Sequence, residues 1–510
     1  MKGKIFCLTL FSLLLIFSFT IDNGKAYTVA SYPNEVKVQL RNNSTTNIQL
    51  QGVFELVDRN TNAKTLLVPG VNITASTTGS FTLIKVGDVT YKSPTGYFLK
   101  ETSDINKIAK FTSNTSIRRS ATTNAEIRKT MSKVEVAEYN GLEHISNGVK
   151  WFHVTAADGT NGWVSSQTTI IEDAPKNLSL FKITNTGKSY RGSLQIEASG
   201  SNAKVVNVLD MENYLKGVLP NEMPALWHPE AVKAQAIVSR TYATKNRNNL
   251  VNTTASQVYN GYGTEHPASN KAIEETSGLL VKYNGKPIEA YFFSTSGGRT
   301  ANVGDVWNSN QAAYPYLVSV EDPYEESPRA NWKEFFRAST ILKSFGVTGA
   351  SAILYDINAL ATGANGEVSS ITLQTSSGLI TKSGNENQIR KLLPQGVYSG
   401  MLNSNWFTIS GTKEYSIQNL STVTNQYNIN GQKVMLGNGQ SVALNNNEVQ
   451  IQMANSTITK ETDPASIIVE GRGFGHRIGM SQHGANGLAK SGKSAIEIIQ
   501  HYYKGTTVEK

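Results

Sequence analysis

The sequence predicts an α+β fold that is rich in short strands and has a few helices, together with a separate small β-barrel. Between residues 36 and 99, alternating runs such as VKVQL and FTLIKV are separated by Asn, Thr and Gly clusters, a pattern typical of strands and turns. Residues His228–Arg247 are instead rich in helix-forming residues. A chain of 510 residues is long enough for two or three domains.

Residues 1–26 have the pattern of a secretory signal peptide. Lys2 and Lys4 precede an apolar run from residue 5 to residue 21, and Gly24 and Ala26 supply small residues at a cleavage site. We therefore expect cleavage after Ala26 and export. The apolar run is near the lower length limit for a membrane span, so a retained anchor is the alternative.

The cysteine content, the spacing of the histidines and the net charge restrict the classes of function that are possible. The single cysteine, Cys7, lies inside the apolar run, and none of the seven histidines forms an H-E-x-x-H pattern. The sequence thus predicts no disulfide, no metal site and no cofactor. The formal net charge is +9, which becomes +7 without residues 1–26 because they hold three lysines and one aspartate. An exported basic protein is attracted to polyanions such as wall polymers, and no motif indicates nucleic-acid binding. A generally basic, soluble surface is the other interpretation of this charge.

Residues 113–173 predict the small barrel. Short strands carry Trp151 and Trp163, and an Asp-Gly turn at residue 158 joins the last two strands. This unit resembles a bacterial SH3-like wall-binding domain. The two tryptophans either contact a wall ligand or belong to the core, as aromatic residues of small barrels usually do.

A domain beginning near residue 187 follows, with two strands and then the long helix. Pro229 suits the first helical position and Glu230 suits the positive end of the helix dipole. Residues 408–466 are rich in Asn, Gln, Ser and Thr, and they predict either an inserted set of strands or a polar loop.

The string GLAKSGKS at residues 487–494 matches the G-x-x-x-x-G-K-[ST] pattern of phosphate-binding loops. Such a loop needs a buried strand before it and a helix after it. The preceding residues, GMSQHGAN, contain no apolar strand. We therefore predict two short helices between Met480 and Tyr503, with Ser494 capping the second, and no nucleotide. A phosphate site remains the alternative.

Three ordered blocks carry a family resemblance. They are NVLDMENYLKGVLPNEMPALWHPEAVKAQAIVSRTYA at 207–243, AYFFSTSGGRTANVGDVW at 290–307 and GRGFGHRIGMSQHGANGLAKSGKSAIEIIQHYYKGT at 471–506. Together they resemble the SpoIID/LytB family over residues 187–510. Residues 27–112 are expected to belong to the same domain, with the small barrel inserted between.

The resemblance implies action on peptidoglycan. The SpoIID branch implies a lytic transglycosylase that cleaves glycan strands, whereas the LytB branch implies a non-catalytic, wall-binding enhancer of an N-acetylmuramoyl-L-alanine amidase. Cleaving a glycosidic bond needs an acid that stays protonated near neutral pH. In the transglycosylase reaction one carboxyl protonates the leaving oxygen and then accepts the proton of the sugar's C6 hydroxyl, which closes an anhydro ring.

Glu222 is the residue of the motif that corresponds to the family's catalytic glutamate. It lies within the apolar stretch VLPNEMPALW, where desolvation would raise its pKa. Asp210 and Glu212 are the runner-up acids. The localisation implied by this chemistry is secreted and wall-associated.

The resemblance also supplies the other site residues. Arg240 corresponds to the family's arginine, and it would hold a substrate carboxylate or hydroxyl or orient Glu222. The alternative is a structural salt bridge with Asp210 or Glu212. The candidate donors lining the groove are Ser296, His476, Ser481 and Gln482. His476 is otherwise a surface histidine on a structural turn. Tyr502 and Tyr503 either stack on sugar rings or belong to the core.

Two positions depart from the family pattern. Arg477 stands where the family usually has glycine, so a positive φ there would strain or reshape the loop. His483 replaces the aromatic residue that commonly follows Ser-Gln.

Overall fold

A computed structural model describes residues 27–176, 178–349, 352–395, 400–411 and 465–510. Between 412 and 464 it describes residues 415–418, 423–426, 433–435, 439–443, 448–452, 457–461 and 463. The predicted signal peptide lies outside the described residues. Within these ranges the fold is α+β and rich in strands, with eight α-helices, which confirms the predicted class. No helix in this part of the chain combines the length and apolar character needed to cross a membrane.

The chain divides into two compact units, Met1–Asn221 with Asn246–Glu265 and Glu222–Lys245 with His266–Lys510. The domain boundaries drawn from the sequence stay predictions. The strands and helices of the first unit are β1 Thr28–Val29, β2 Glu35–Asn43, β3 Thr45–Leu50, β4 Phe54–Asp58, β5 Lys64–Leu67, β6 Asn72–Thr78, β7 Phe81–Val86, β8 Val89–Ser93, β9 Tyr97–Ser103, β10 Lys107–Phe111, β11 Thr115–Arg118, β12 Ile127–Met131, β13 Glu135–Ser146, β14 Val149–Thr155, β15 Asn161–Ser165, β16 Thr169–Asp173, β17 Phe181–Ile183, β18 Lys188–Tyr190, β19 Ser193–Ser199, β20 Asn202–Asp210, α1 Met211–Glu222 and β21 Leu250–Val251.

Alternating burial along the strands explains the sheets of the first unit. In β2, for example, Val36, Val38 and Leu40 are buried while their neighbours are more accessible, as a sheet with one face on the core requires. The larger sheet has the order β12-β11-β15-β14-β13-β5-β4-β9-β19-β20-β2-β21, and a six-stranded sheet has the order β18-β17-β3-β6-β7-β8.

Strands β10 to β16 occupy the region predicted to be a small barrel. They pair in the antiparallel order β12-β11-β15-β14-β13-β10-β16, and this ladder does not close on itself among the described residues. The predicted small barrel is therefore not confirmed, although the strands enclose a core that includes Phe111, Phe152 and Val164. Trp151 is buried, whereas Trp163 is partly accessible and contacts the rings of two histidines.

The second unit contains the long helix, which confirms the predicted helix within one residue at each end. The elements of this unit are α2 Pro229–Asn246, α3 Pro267–Glu275, β22 Leu280–Tyr283, β23 Lys286–Pro287, β24 Phe292–Phe293, α4 Val303–Trp307, β25 Asn331–Phe336, α5 Ala338–Ser344, β26 Leu354–Ala361, β27 Val368–Thr375, β28 Gly378–Ser383, α6 Glu386–Leu392, β29 Phe407–Gly411, β30 Tyr415–Gln418, β31 Val423–Gln426, β32 Lys433–Met435, β33 Ser441–Ala443, β34 Glu448–Gln452, β35 Thr457–Glu461, β36 Ile467–Arg472, β37 Met480–Ser481, α7 Gln482–Lys490, α8 Ala495–Tyr502 and β38 Thr507–Glu509.

Two small sheets and two helices form the core of the middle of this unit. The sheets β25-β36-β29 and β26-β27-β28 share one apolar cluster with α5 and α6, in which Ile341, Leu373, Ile389 and Val469 are fully buried. Within the polar stretch 408–466, β30 to β35 pair as three two-stranded hairpins.

The string that matches a phosphate loop is a helix–turn–helix corner, as predicted. Residues 487–490 belong to α7, and α8 starts after the turn at Ser494, whose side chain accepts a hydrogen bond from the backbone N–H of Glu497. The Glu497 carboxylate returns a bond to the Ser494 backbone, which completes a capping box. Gly487 is needed at the helix surface because a Cβ there would lie 1.8 Å from the carbonyl oxygen of Tyr324.

Replacing Ser494 with Ala should destabilise the second unit by about 1 kcal/mol, because α8 would lose its capping hydrogen bond. The change is measured as the shift in denaturant-induced unfolding. The matched control is Lys493→Ala, which removes only an exposed ion pair with Glu497. The control should change stability by less than about 0.5 kcal/mol. Equal effects of the two variants would contradict this role of Ser494.

Candidate functional site

Residues from two of the sequence blocks meet at the N-terminus of α7. The side-chain amide of Gln482 donates a hydrogen bond to the backbone carbonyl of Glu222 at 2.8 Å. Glu222 is the last residue of α1, and Gln482 is the first residue of α7. Both residues lie in the second unit, where the third block holds the main chain of the first block's glutamate.

The Glu325 carboxylate joins the second block to the same helix terminus. It accepts hydrogen bonds from the backbone N–H groups of Ser296 at 2.5 Å and Gly297 at 2.7 Å. The Ser481 hydroxyl donates to the same carboxylate at 2.9 Å. Ser481 also caps α7, because its oxygen accepts from the backbone N–H of Gly484. The TSGG turn and α7 are thus held by one carboxylate, which we call the Glu325 clamp.

The glycine loop of residues 473–479 is attached to the same turn. Thr295 and Phe474 exchange two backbone hydrogen bonds, at 3.1 and 2.7 Å. Gly297 has φ 77°, and a Cβ there would lie 2.6 Å from the Cβ of Arg472. Only glycine allows the two backbones to approach this closely.

Glu222 itself is half-buried, and its apolar surroundings are less complete than the sequence predicts. Leu219 and Met223 are buried, but Leu226 is 82 % exposed. Trp227 packs edge to face on His483, with ring centroids 4.7 Å apart. His483 thus fills the position expected for an aromatic residue with a ring that contacts this tryptophan.

Arg240 lies inside the second unit rather than on an open surface. Its side chain is 2 % exposed, and it donates hydrogen bonds to the carbonyl oxygens of Ile273 at 3.2 Å and Leu279 at 3.3 Å. Ile273 belongs to α3, so the guanidinium holds the end of that helix and the following turn. Direct contact of Arg240 with a substrate stays a prediction.

The runner-up acid Asp210 has a local structural role in the first unit. Its carboxylate accepts a hydrogen bond from the backbone N–H of Glu212 at 2.9 Å, at the first turn of α1. Burial raises the pKa of Asp210 above its ordinary value, with the nearby charge of Glu212 adding to the effect. The pattern is that of a helix-capping aspartate.

Three of the four predicted groove donors are buried and form hydrogen bonds with other groups of the protein. Ser296 and Ser481 are fully buried, and Gln482 is nearly so. Each takes part in the hydrogen bonds described above. Tyr502 and Tyr503 are also fully buried, which favours the core alternative for both.

His476 lies among aromatic rings. The centroids of Trp307, Phe293 and Tyr291 are 5.1, 5.6 and 6.3 Å from its ring. Its Nδ1 accepts a hydrogen bond from the backbone N–H of Ile478 at 3.1 Å. Burial lowers the pKa of His476 to about 4, so the imidazole is neutral near pH 7. Its residue surface remains partly accessible.

The backbone of Arg477 has φ 64°, so this position has the left-handed conformation for which glycine is favoured. Contacts of the arginine side chain hold the backbone in this conformation. The guanidinium pairs with Glu367 at 3.0 Å, and both side chains are fully buried. It also donates to the carbonyl oxygens of Ser296 at 3.0 Å and Arg299 at 2.8 Å, and it lies 4.1 Å from the ring centroid of Trp406.

The model of the SpoIID family, described as Stage II sporulation protein, matches residues 199–283, which include Glu222 and Arg240. The chain belongs to the SpoIID family. This confirms the resemblance to the SpoIID family; the matched residues include the first of the three sequence blocks and no part of the predicted small barrel.

Three curated relatives of this SpoIID-family chain cover larger parts of it. The amidase enhancer of Bacillus subtilis (strain 168) is 31 % identical over 301 residues, which are 58 % of this chain and 40 % of the relative. The stage II sporulation protein D of the same strain is 29 % identical over 370 residues, 68 % of this chain and 86 % of the relative. That of Bacillus amyloliquefaciens is 28 % identical over 331 residues, 60 % of this chain and 76 % of the relative. The match thus spans two fifths of the amidase enhancer's length.

Sequence reasoning missed two carboxylates of the SpoIID-family site, Asp322 and Glu325. They lie in the segment EDPYEESP at 321–328, outside all three blocks. Its four carboxylates within eight residues, with two prolines among them, were the available signal. Asp322 is 1 % exposed and accepts a hydrogen bond from the Tyr502 hydroxyl at 2.8 Å. Burial raises the pKa of Asp322 to about 6, and the charge of Glu325 adds to this. Gly484 leaves room for the carboxylate, because a Cβ there would lie 2.1 Å from it.

Asp322 should make the stability of the protein pH-dependent. Its folded-state pKa of about 6 exceeds the ordinary value of 3.8, so the folded state holds the proton more tightly. The free energy of unfolding should therefore fall as the pH rises from about 4 to about 6, by on the order of 2–3 kcal/mol, and then level off. Asp322→Asn should lack this decrease in unfolding experiments across that pH range. Asp356→Asn, at a partly accessible position on β26, is the control and should keep the wild-type slope. Identical pH slopes for wild type and Asp322→Asn would exclude Asp322 as the source.

The buried pair of Arg477 and Glu367 predicts a non-additive pair of substitutions. Glu367→Gln should cost about 3–5 kcal/mol because it leaves a buried guanidinium without its counter-charge. Arg477→Gly relieves the positive φ but leaves a buried carboxylate, so it should also destabilise the fold. The double variant should lose less stability than the sum of the two single losses, as measured by thermal or denaturant unfolding. Simple additivity would show that the two charges do not stabilise each other.

Proposed function

We propose that this SpoIID-family chain is a peptidoglycan lytic transglycosylase in which Glu222 is the acid and base. The observation that carries the proposal is the set of hydrogen bonds that joins the three blocks around the end of α1. Gln482 fixes the carbonyl of Glu222, and the adjacent Ser481 is fixed by the Glu325 clamp. A catalytic acid must be held in place to protonate a leaving group, and this frame supplies rigid attachment.

The proposed reaction uses one carboxyl group. Protonated Glu222 donates its proton to the glycosidic oxygen as the bond to the anomeric carbon breaks. The resulting carboxylate then accepts the proton of the C6 hydroxyl, whose oxygen closes the anhydro ring on the anomeric carbon. Atoms and charge balance without water, and the glutamate ends protonated as it began. Positioned proton transfer of this kind contributes about 10² to 10⁴ in rate.

The other predicted site residues take supporting roles in this proposal. Ser296, Ser481 and Gln482 position the acid rather than contact the glycan, because their hydrogen-bonding groups bind the protein. Neutral His476 is partly accessible, and its uncharged imidazole would offer the glycan a hydrogen bond without repelling a cationic transition state. Arg240 supports the turn after α3.

The proposed setting is the cell wall outside the cytoplasm, in wall remodelling or sporulation. Two relatives are named for sporulation and one for an amidase, and the predicted signal peptide at 1–26 and the net charge of +9 fit the same setting. We further propose that strands β10 to β16 act as an SH3-like wall-binding module. The accessible ring of Trp163, flanked by His144 and His153, is its candidate contact surface.

A non-catalytic enhancer of a wall amidase is the second candidate function. The observation that favours it is the 31 % identity to a protein named amidase enhancer. On this alternative the chain binds glycan strands or anionic wall polymers and recruits an N-acetylmuramoyl-L-alanine amidase. On this alternative Glu222 would contribute to binding of the glycan or wall polymer and would not transfer a proton.

Replacing Glu222 with Gln should reduce the release of anhydro-muramyl ends from peptide-free glycan by about 10² to 10⁴. The variant keeps the shape of the side chain, so its unfolding transition should stay near that of the wild type. Mass spectrometry of the soluble products measures the loss. Glu326→Gln is the matched control, because Glu326 is an exposed carboxylate that pairs with Lys490 on α7.

Two results would redirect the assignment. Loss of product in Glu212→Gln or Asp210→Asn with retention in Glu222→Gln would move the acid to another carboxylate. Absence of anhydro ends from the wild type, together with stimulation of a purified amidase that persists in Glu222→Gln, would establish the enhancer function instead.

A further inference from the structure

A groove of about 1000 Å³ lies on the face formed by β25, β36, β29 and β26. It is in the second unit, next to the glycine loop but outside the hydrogen-bonded frame around Glu222. Its volume is at the upper end of the range for small-molecule sites. The side chains that matter for its chemistry are those of Trp332, Trp406, Asn331, Asn358, Asn365 and Arg472.

The lining combines aromatic faces with amide groups. Trp332 and Trp406 offer flat apolar surfaces that remain partly accessible, and Asn331 and Asn358 are exposed beside them. A pyranose ring has an apolar face that packs on aromatic rings, and its hydroxyl and acetamido groups exchange hydrogen bonds with amides. This pairing fits an amino-sugar chain better than a fully apolar ligand.

The tryptophans are fixed before any ligand arrives. The Nε1 of Trp332 donates to the carbonyl of Gly473 at 2.9 Å, and its ring lies so close to Gly471 that a Cβ there would be 2.1 Å away. The Arg477 guanidinium packs on the ring of Trp406, with its central carbon 4.1 Å from the ring centroid. Rigid aromatic surfaces lose little conformational entropy when a ligand binds.

The charges in the groove favour an anionic ligand. Lys333 pairs with Glu470 at 2.9 Å, so these two largely compensate each other. Arg472 is exposed, and its guanidinium lies 5.3 Å from the ring centroid of Trp406. A sugar stacked on Trp406 would therefore place a carboxylate substituent within reach of a cation.

We propose that this groove binds a stretch of N-acetylated, carboxylate-bearing glycan beyond the sugars at Glu222, and so selects long strands. The proposal rests on the proposed function for the identity of the strand. Arg477 connects the two places, since its guanidinium supports Trp406 and also donates to the carbonyl of Ser296.

The test measures binding without turnover. Full-length chain carrying Glu222→Gln is titrated calorimetrically with peptide-free glycan strands of increasing length. Affinity should rise with length, and Trp406→Ala should weaken binding to long strands by about three- to ten-fold. Arg472→Gln is a second variant, which removes one charge from an exposed side chain. It tests the groove even if Trp406→Ala fails to fold. It should weaken binding to wall glycan but not to neutral oligomers of N-acetylglucosamine, which lack carboxylates.

Phe335→Ala is the matched control, because Phe335 is an exposed aromatic residue on β25 that does not line the groove. Its affinity should equal that of the parent. Unchanged binding in Arg472→Gln and in folded Trp406→Ala would overturn the groove proposal and leave the Glu222 chemistry standing. Loss of binding in these variants, combined with full product release by Glu222→Gln, would instead overturn the catalytic assignment and leave the groove.

Discussion

The site depends on one partly buried interaction, the Glu325 clamp. A carboxylate that leaves water needs several hydrogen bonds, and hydrogen bonds to charged groups are the stronger ones. Glu325 has three, from two consecutive backbone N–H groups and one hydroxyl. Because these donors belong to the TSGG turn and to the cap of α7, separating the two segments would break these charge-assisted hydrogen bonds. The position of Gln482, and through it of Glu222, follows from this constraint.

Arg477 extends the same frame in the other direction. A non-glycine residue with positive φ costs of order 1–3 kcal/mol unless its surroundings fix it. Here the side chain satisfies the buried Glu367 and two carbonyl groups, so the conformation that a glycine would adopt easily is held by an arginine. Burial lowers the pKa of Arg477 to about 10, which still leaves a cation near pH 7. Arg477 thus holds the glycine loop in place and also supports Trp406, which lines the groove.

Features set by neighbouring residues could be predicted from the sequence, and features set by distant contacts could not. The helix after Pro229 and the corner capped by Ser494 follow from propensity and capping over a few residues, and both were correct. The burial of Ser296 and Ser481 depends on a carboxylate 29 and 156 residues away, respectively. Glu325 and Asp322 were missed for that reason. The predicted small barrel of strands β10 to β16 is not confirmed, because closure of a barrel depends on strand pairing rather than on strand content.

The buried donors have a consequence for how a glycan would be held. Groups that already bind the protein in a fixed frame give precise placement, but they offer little new interaction to a substrate. Ser296, Ser481, Gln482 and Arg240 are in this position. Binding energy for a long polymer must then come from accessible surface, and the groove with Trp406 and Arg472 supplies aromatic area and charge next to the frame. On the proposed function, separating placement from affinity in this way would let a single positioned carboxyl act on a strand that is held mainly elsewhere.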